Sequence, residues 1–581
     1  MAKGGEFIIP SVALPLDIFG LSDLTAEQLM IRDQIGEFIA QEVTTDDAGK
    51  RIEAKDLQFS RELLLKLGQL GYLGLEIPEE YGGTDLGSIA SALVAEKVAR
   101  QASFACTFLA HTGIASLPIR FFGTEDQKKK YLSKLTSGQW VGAYSLTEAG
   151  AGSDAQGIKA KAILSEDGKS YVLTGEKIFV TNGGFADLYV IFAQVEGKGP
   201  TAFIVEKTFS GLSIGREEHK IGIKGSSTTA IILNEVHVPV ENVLGEPGMG
   251  VKIALAILNL GRFKLAAASL GGARLALERS LQYSRSRKQF GQPIADFGAI
   301  RQKLARMATK IYAMEAVVYR TAGYLDEAAR SVDTNDSRAV LKAISEFAVE
   351  CSLIKVSCSE DLDFVVDENV QIHGGYGFCE EYPAARQYCD SRINRIFEGT
   401  NEVNRLAGVL TILKKAMVGG LPIQAAGKKI FEESLAPMLQ SEPDDLVERL
   451  LACLNGARKA FLVVCDIAVE KFKPVLDGGK ELQKHQAVLL GLADCMIEIY
   501  KMESVLAALA KKRDESGENL TKLVFQESFF LVEALTRKLI AMCSEGDAQR
   551  TRMAMVKRFL KFRIENEEEL YYKITEHLKR L

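Results

Sequence analysis

The sequence predicts a mainly α-helical chain with one β middle domain, and three observations carry that expectation. Apolar residues recur at helical spacing from about 25 to 136. Short β-branched or aromatic runs separated by turn signals then fill roughly 138–243. After "GEPGMG" the helical period returns and lasts to the end. At 581 residues the chain is too long for one compact core. The pattern divides it into a helical domain at 1–137, a β domain at 138–243, a helical bundle at 244–420 and a further helical domain at 421–581.

The first helix is expected where Thr25 and Gln28 form a capping box ahead of Met30, Ile35, Phe38 and Ile39. "SIASALVAEKVARQ" predicts a second helix. The stretch 101–119 lacks Asp, Glu, Lys and Arg, but Gln, Ser, Thr and His interrupt it, so it reads as a buried core helix and not a membrane span. "YVLTGEKIFVTNGG", "ADLYVIFAQV", "TAFIVEK" and "TAIILNEVHVPV" read as strands, with turns such as "GKGP" between them. Within the second helical region, "MVGGLPIQAAG" at 417–427 is the best boundary.

Composition excludes several functions. A net charge of −5 advertises no nucleic-acid surface. Nine cysteines without a CxxC pair and six histidines without ligand spacing predict reduced thiols and no metal site. "MAKGGEFIIP" lacks the pattern of a secretory signal, so a bacterial protein of this sequence is expected in the cytoplasm.

Five segments carry candidate chemistry. In "YSLTEAGAGSD" (144–154) Gly150 and Gly152 permit close backbone approach, while Thr147 and Ser153 offer hydroxyls; alone, such a loop is equally a simple turn. In "KIFVTNGGFAD" Phe179 can stack and Thr181 can donate a hydrogen bond. "RSRKQFGQPI" joins Arg285, Arg287 and Lys288 to Phe290, which suits either a pyrophosphate and adenine or a solvated helix end. "VQIHGGYGF" is Gly-rich but lacks a P-loop ending. In "RIFEGTNEV" Glu398 follows Ile396 and Phe397, as either an acidic helix start or a base in a dry pocket.

Together with "VPVENVLGEPGMG", these segments resemble, in order and spacing, the acyl-CoA dehydrogenase flavoproteins over about residues 25–415. The resemblance implies that family's fold, with a β-barrel-like middle domain. It implies removal of an α-proton and a β-hydride from an acyl-CoA thioester, giving a trans-2-enoyl-CoA and reduced FAD, as in fatty-acid β-oxidation. By position the base is Glu398. A branch of the family carries its base elsewhere, at a position that is Gly261 here and cannot act as one. Burial should raise the Glu398 pKa. The resemblance assigns Leu146, Thr147, Gly152, Ser153, Phe179, Thr181, Thr400 and Glu402 to FAD. Arg287, Gln289, Phe290, Gln371, Gly374 and Gly375 match pyrophosphate and adenosine contacts, some reaching FAD across a subunit interface. Asn259 and Arg262 match contacts to the CoA nucleotide, and Ser153, Phe397 and Gly399 adjoin the substrate.

If 101–116 is one helix, Cys106, Ala110 and Gly113 share a face. Small residues there either deepen an acyl slot or let two helices pack closely. "ILNLGRF" and the extra C-terminal domain resemble the very-long-chain type, which implies long acyl chains, a homodimer and electron-transfer flavoprotein as acceptor. With Lys428 and Lys429 set against several acids, "GLPIQAAGKKIFEESLAPMLQSEPDD" predicts at most weak peripheral membrane contact. Two alternatives remain open: an oxidase passing electrons to oxygen, and an assembly-factor role.

Overall fold

The computed structural model describes residues 2–11, 13–435, 443–476 and 485–580. Seven helices build the first domain: α1 (Ala26–Phe38), α2 (Asp46–Glu53), α3 (Leu57–Gln69), α4 (Gly87–Val98), α5 (Ala102–Leu109), α6 (Ser116–Phe122) and α7 (Glu125–Thr136). Helix α1 starts on the expected capping box: the Thr25 amide donates to Gln28 Oε1 (3.0 Å) and the Gln28 amide to Thr25 Oγ1 (3.2 Å). The uncharged stretch is largely buried, but it is not one regular helix. A wide π turn at Ala110–Ala115 separates α5 from α6. Pro118 has no N–H for the carbonyl one turn earlier, which frees that turn to widen.

The middle domain is an eight-stranded sheet: β1 (Gly142–Ser145), β2 (Lys161–Leu164), β3 (Ser170–Thr181), β4 (Leu188–Val195), β5 (Gly199–Glu206), β6 (Leu212–Glu217), β7 (Thr228–Pro239) and β8 (Val243–Leu244). The order is β6-β7-β3-β2-β4-β5-β8, with β1 parallel beside β4. Strand β4 is buried on both faces for most of its length, which is why "LYVIFA" shows no alternation. Strand β3 slips register against β7 between Lys177 and Val180, and this bulge re-aims Phe179.

The third domain contains α8 (Gly250–Ser286), a hairpin of β9 (Lys288–Gln289) and β10 (Gln292–Pro293), α9 (Gly298–Arg330), α10 (Ser337–Ile344), α11 (Ala348–His373), α12 (Pro383–Ser391) and α13 (Asn401–Met417). The C-terminal region adds α14 (Ile423–Leu435), α15 (Leu446–Leu476), α16 (Gln486–Lys511), α17 (Glu515–Cys543), α18 (Gly546–Phe559) and α19 (Glu567–Arg580). Of the segment read for membrane contact, residues 436–442 lie outside the described residues.

The C-terminal helices do not form a separate bead, because one apolar core runs from Phe7 through the third domain to Leu560. The segment before α1, expected within the first domain, packs there instead. The Phe7 ring meets Tyr500 edge-on at 4.9 Å, and Arg458 Nε donates to the Phe7 carbonyl (2.8 Å). Buried Glu503 pairs with both Arg458 and Arg320, the latter at 2.7 Å. Burial works to raise the Glu503 pKa, yet the two guanidiniums hold it below the usual range. Glu503→Ala would leave two buried cations unpaired. We expect it to cost about 3–5 kcal/mol, read as a lower denaturant midpoint at unchanged slope.

Candidate functional site

Glu398 lies in the short connection between α12 and α13, and its backbone is strained. Its φ is +57°, followed by +81° at Gly399. Left-handed backbone costs a non-glycine residue about 1–2 kcal/mol, so something must hold it. Three donors from three helices do. Arg262 of α8 donates through Nε to the Glu398 carbonyl (3.2 Å). Lys355 of α11 donates to the Gly399 carbonyl and to Asn401 Oδ1, both at 2.8 Å. Asn404 of α13 reaches the carbonyls of Glu398, Gly399 and Thr400 at 3.3, 2.8 and 3.1 Å. All three donors are buried. The helix-start reading also holds for the backbone, since Thr400 caps α13 by accepting from the Val403 amide (3.3 Å). Glu402 is exposed in its first turn.

The carboxylate itself stays free. Oε2 is out of contact with water and has no hydrogen-bond partner among the described residues. Burial raises its pKa to about 7, against the pull of Arg262 and Lys355. Burial likewise lowers Lys355 to about 7, with Glu398 opposing. A Cβ at Gly261 would stand 2.8 Å from Oε2, so glycine leaves the carboxylate its place. The Tyr144 hydroxyl is also buried without a hydrogen-bond partner among the described residues, and burial, then Glu398, pushes its pKa well up.

Glu398 and Phe397 line a cavity. One wall is α5 with Ala102, Ala105 and Cys106, continued by Ala110 of the π turn; another is α8 with Gly261, Leu265, Ala268, Gly272 and Leu275. Thr181 and Ile223 of the β domain contribute beside Glu398. Cys106 and Ala110 therefore lie where expected, whereas Gly113 does not. The π turn carries more residues per turn than an α-helix, so Ile114 takes the next lining position. Gly113 faces the Lys264 side chain instead, with a Cβ position 3.5 Å from its Cδ.

Arg262, matched by the resemblance to a nucleotide contact, is buried. It is only 6% exposed, and its Nη1 donates to Asn259 Oδ1 (2.9 Å) and Ser352 Oγ (3.3 Å). Its guanidinium points into the bundle and holds the Glu398 loop. Asn259, half-buried, is occupied in orienting it.

The expected cofactor residues fall into two groups. Near the cavity, the Leu146 carbonyl accepts from Lys177 Nζ (3.2 Å) and the Thr147 carbonyl from the Ile178 amide (2.9 Å). Gly152 and Ser153 are exposed, with open space at Gly152. Phe179 is 61% exposed at φ +57°. A buried Lys177–Glu148 pair (2.6 Å), unmarked by the sequence reading, pins the Gly-rich loop, because Glu148 also accepts the amides of Lys159 and Ala160. At the other end of α8, Arg287 lies 6.0 Å from the Tyr376 ring, and Phe290 is 94% exposed. Gln371, Gly374 and Gly375 are exposed on α11 and just beyond its end. Arg287 follows Gly261, which lines the cavity, by twenty-six residues, about 39 Å along a helix axis.

Lys355, Asn404 and Tyr144 escaped the sequence reading. The usable signal was a lone lysine inside the apolar stretch "CSLIKVSC".

The chain matches family models described as acyl-CoA dehydrogenase N-terminal domain (25–139), middle domain (143–236) and C-terminal domain (248–409, and a second such model at 456–558). It is 44% identical to a probable acyl-CoA dehydrogenase of Bacillus subtilis over 96% of this chain and 94% of the relative. It is 35% identical to the human mitochondrial very long-chain specific acyl-CoA dehydrogenase over 77% of this chain and 70% of that one. A crystal structure of acyl-CoA dehydrogenase complexed with FAD from Bacillus anthracis superposes with a TM-score of 0.95 at 42% identity, covering 100% of this chain and 99% of the other.

The raised pKa of Glu398 has a sign for stability. Between the ordinary carboxyl value of 4.5 and about 7, the unfolded side chain ionises while the folded one keeps its proton. The folded state thus binds more protons and loses stability as pH rises through that window. Glu398→Gln should therefore stabilise the protein, by a gain that grows from pH 4.5 to 7 and then stays level at about 1–3 kcal/mol. Urea unfolding at three pH values checks this.

Proposed function

The chain belongs to the acyl-CoA dehydrogenase family of flavoenzymes, and from that footing we propose that it oxidises long-chain acyl-CoA at the α,β bond, with Glu398 as the base. One observation carries the reading: Glu398 presents a dry, unpartnered carboxylate oxygen on the wall of a narrow apolar cavity. Exposed Phe179 at a strained φ, with Thr181 beside it on the cavity wall and open space at Gly152, fits a planar aromatic cofactor. The FAD complex of the Bacillus anthracis relative supports FAD in that place. Bound there, FAD supplies the acceptor for the hydride that leaves Cβ.

The protein's own part is the α-proton. An unactivated α-C–H is a very weak acid, so the base must be strong, near and dry. Loss of solvation brings the carboxylate to about 7 and so strengthens it. Arg262 and Lys355 moderate this without donating to the carboxylate, because their hydrogen bonds go to the loop backbone. Phe397 covers the same end of the cavity and excludes water.

The α8 wall supports a long chain. Gly261, Leu265, Ala268, Gly272 and Leu275 follow one helix face over fourteen residues, about 21 Å. An extended alkyl chain advances about 1.25 Å per carbon, so the wall accommodates about sixteen carbons. Each buried CH₂ adds about 0.8 kcal/mol. The position of Arg287, about 39 Å of helix beyond Gly261 on the cavity wall, supports a homodimer in which each copy completes the other's FAD site. Electron-transfer flavoprotein is the acceptor that the family resemblance implies.

Anaerobic titration of the yellow holoenzyme with saturated acyl-CoAs of four to twenty carbons should bleach the flavin, most tightly near sixteen. Glu398→Gln should keep FAD and bind the thioester yet bleach about 10²–10⁴-fold more slowly; normal bleaching would remove Glu398 from its role. Because the ionised form is the base, kcat/KM should rise with pH along a limb centred near 7. A limb at an ordinary glutamate value would contradict a desolvated base.

A further inference from the structure

The acyl cavity does not end on an apolar plug. Past Leu275, the next residue of α8 on the same face is Arg279, and it lines the cavity together with Arg386 and Gln387 of α12. Arg279 is half-buried, and its Nη1 donates to Gln387 Oε1 (3.2 Å). Gln387 is itself fixed, since its Nε2 donates to the Gly272 carbonyl (2.7 Å). Among the described residues no carboxylate forms an ion pair with Arg279 or Arg386; the nearby Arg100 is paired with Glu278 (2.9 Å). Burial, then Arg386 and Arg100, hold the Arg279 pKa down to about 10. Asp390, also on the wall, accepts the Ile223 amide (2.5 Å), and burial raises its pKa to about 7, so it is a poor counter-charge. A cationic fork oriented by a neighbouring amide and lacking an anion at the end of an apolar slot is a costly arrangement without a ligand.

We propose that this end of the cavity is a receptor for the terminal carboxylate of an ω-carboxylated long-chain acyl-CoA, the thioester of a long dicarboxylic acid. This rests on the reading that the cavity holds the acyl chain. Arg279 can present two N–H groups to the carboxylate in a planar pair, and exposed Arg386 adds positive charge at the mouth. The geometry sets a length. From Gly261, beside the base, to Arg279 is eighteen residues of α8, about 27 Å, which corresponds to about twenty extended carbons. A shorter diacid would leave its charge in the apolar part of the slot, where an unpaired carboxylate is strongly disfavoured.

The test is the ratio of kcat/KM for the ω-carboxy substrate to that for the ω-methyl substrate of equal length. It is measured on the FAD-loaded enzyme with an artificial electron acceptor, from twelve to twenty-two carbons. We expect the ratio to lie far below one at twelve carbons and to cross above one near twenty. Arg279→Gln should lower the ratio at twenty carbons by about ten- to a hundredfold and leave the ratio at twelve unchanged, while Arg279→Lys should restore part of it. A ratio below one at every length, or one indifferent to Arg279→Gln at twenty carbons, overturns the proposal. Loss of FAD from the Arg279→Gln protein would assign the arginine to the cofactor and overturn it too. Failure with the ω-methyl substrates as well would instead refute the acyl-chain reading itself.

Discussion

A carboxylate that is to stay dry has to be positioned without being solvated, hydrogen-bonded or paired through its own oxygens. In this chain the constraint is met by gripping the backbone. Arg262, Lys355 and Asn404 all donate to the stretch 398–401, and none donates to the Glu398 carboxylate. Two of the three are cations, so they also supply attraction that keeps the charged form accessible despite burial. Were either to donate directly to Oε2, the carboxylate would become an ordinary weak base. The left-handed backbone at Glu398 is the counterpart of that arrangement: strain of about 1–2 kcal/mol is offset by several buried hydrogen bonds of about 1 kcal/mol each.

The donors come from α8, α11 and α13, so the loop is only as well placed as those helices are. Their mutual packing extends into the C-terminal domain. Arg405, one turn after Asn401, forks onto Glu360 of α11 (2.7 Å) and also reaches Asp494 of α16 (2.7 Å). Asp361, next to Glu360, is shared by Lys310 of α9 and Lys501 of α16 at 3.0 and 3.1 Å. These partly buried ion pairs are not strong evidence of net stabilisation, but they are directional, and they fix α13 against α11 and α16. The C-terminal helices thus buttress the helix that begins at the Glu398 loop, which gives them a structural part in the candidate site without touching it.

How much of this the sequence shows depends on the range of the interaction. The capping box at Thr25 is legible because both partners lie within four residues. Glu398 is legible because an acid beside an apolar pair and a Gly-Thr turn is a local anomaly. The grip on the loop is not legible: Arg262 reaches across 136 residues and Lys355 across 44 to make their bonds. A buried cation looks the same in sequence as a surface one, so nothing local shows that the Arg262 guanidinium turns inward. The π turn is a further loss. Its cause, Pro118, lies beyond the stretch whose face it shifts, and a regular 3.6 period places Gly113 where Ile114 sits.

Small residues beside a slot have two explanations, room for a ligand or close helix packing, and α8 separates them by neighbouring positions. A Cβ at Gly271 would lie 2.0 Å from the Glu96 carbonyl, so that glycine exists for the contact with α4. Gly272, one residue and about 100° further round the helix, points toward the cavity. A Cβ there would meet only the Leu362 side chain, at 3.3 Å. The first glycine is required by a backbone and tolerates no substitution without moving a helix. The second is required only by the width of the slot, which a methyl group would narrow without disturbing the bundle. Adjacent glycines on one helix therefore serve opposite ends, one closing the fold and the other keeping the cavity open.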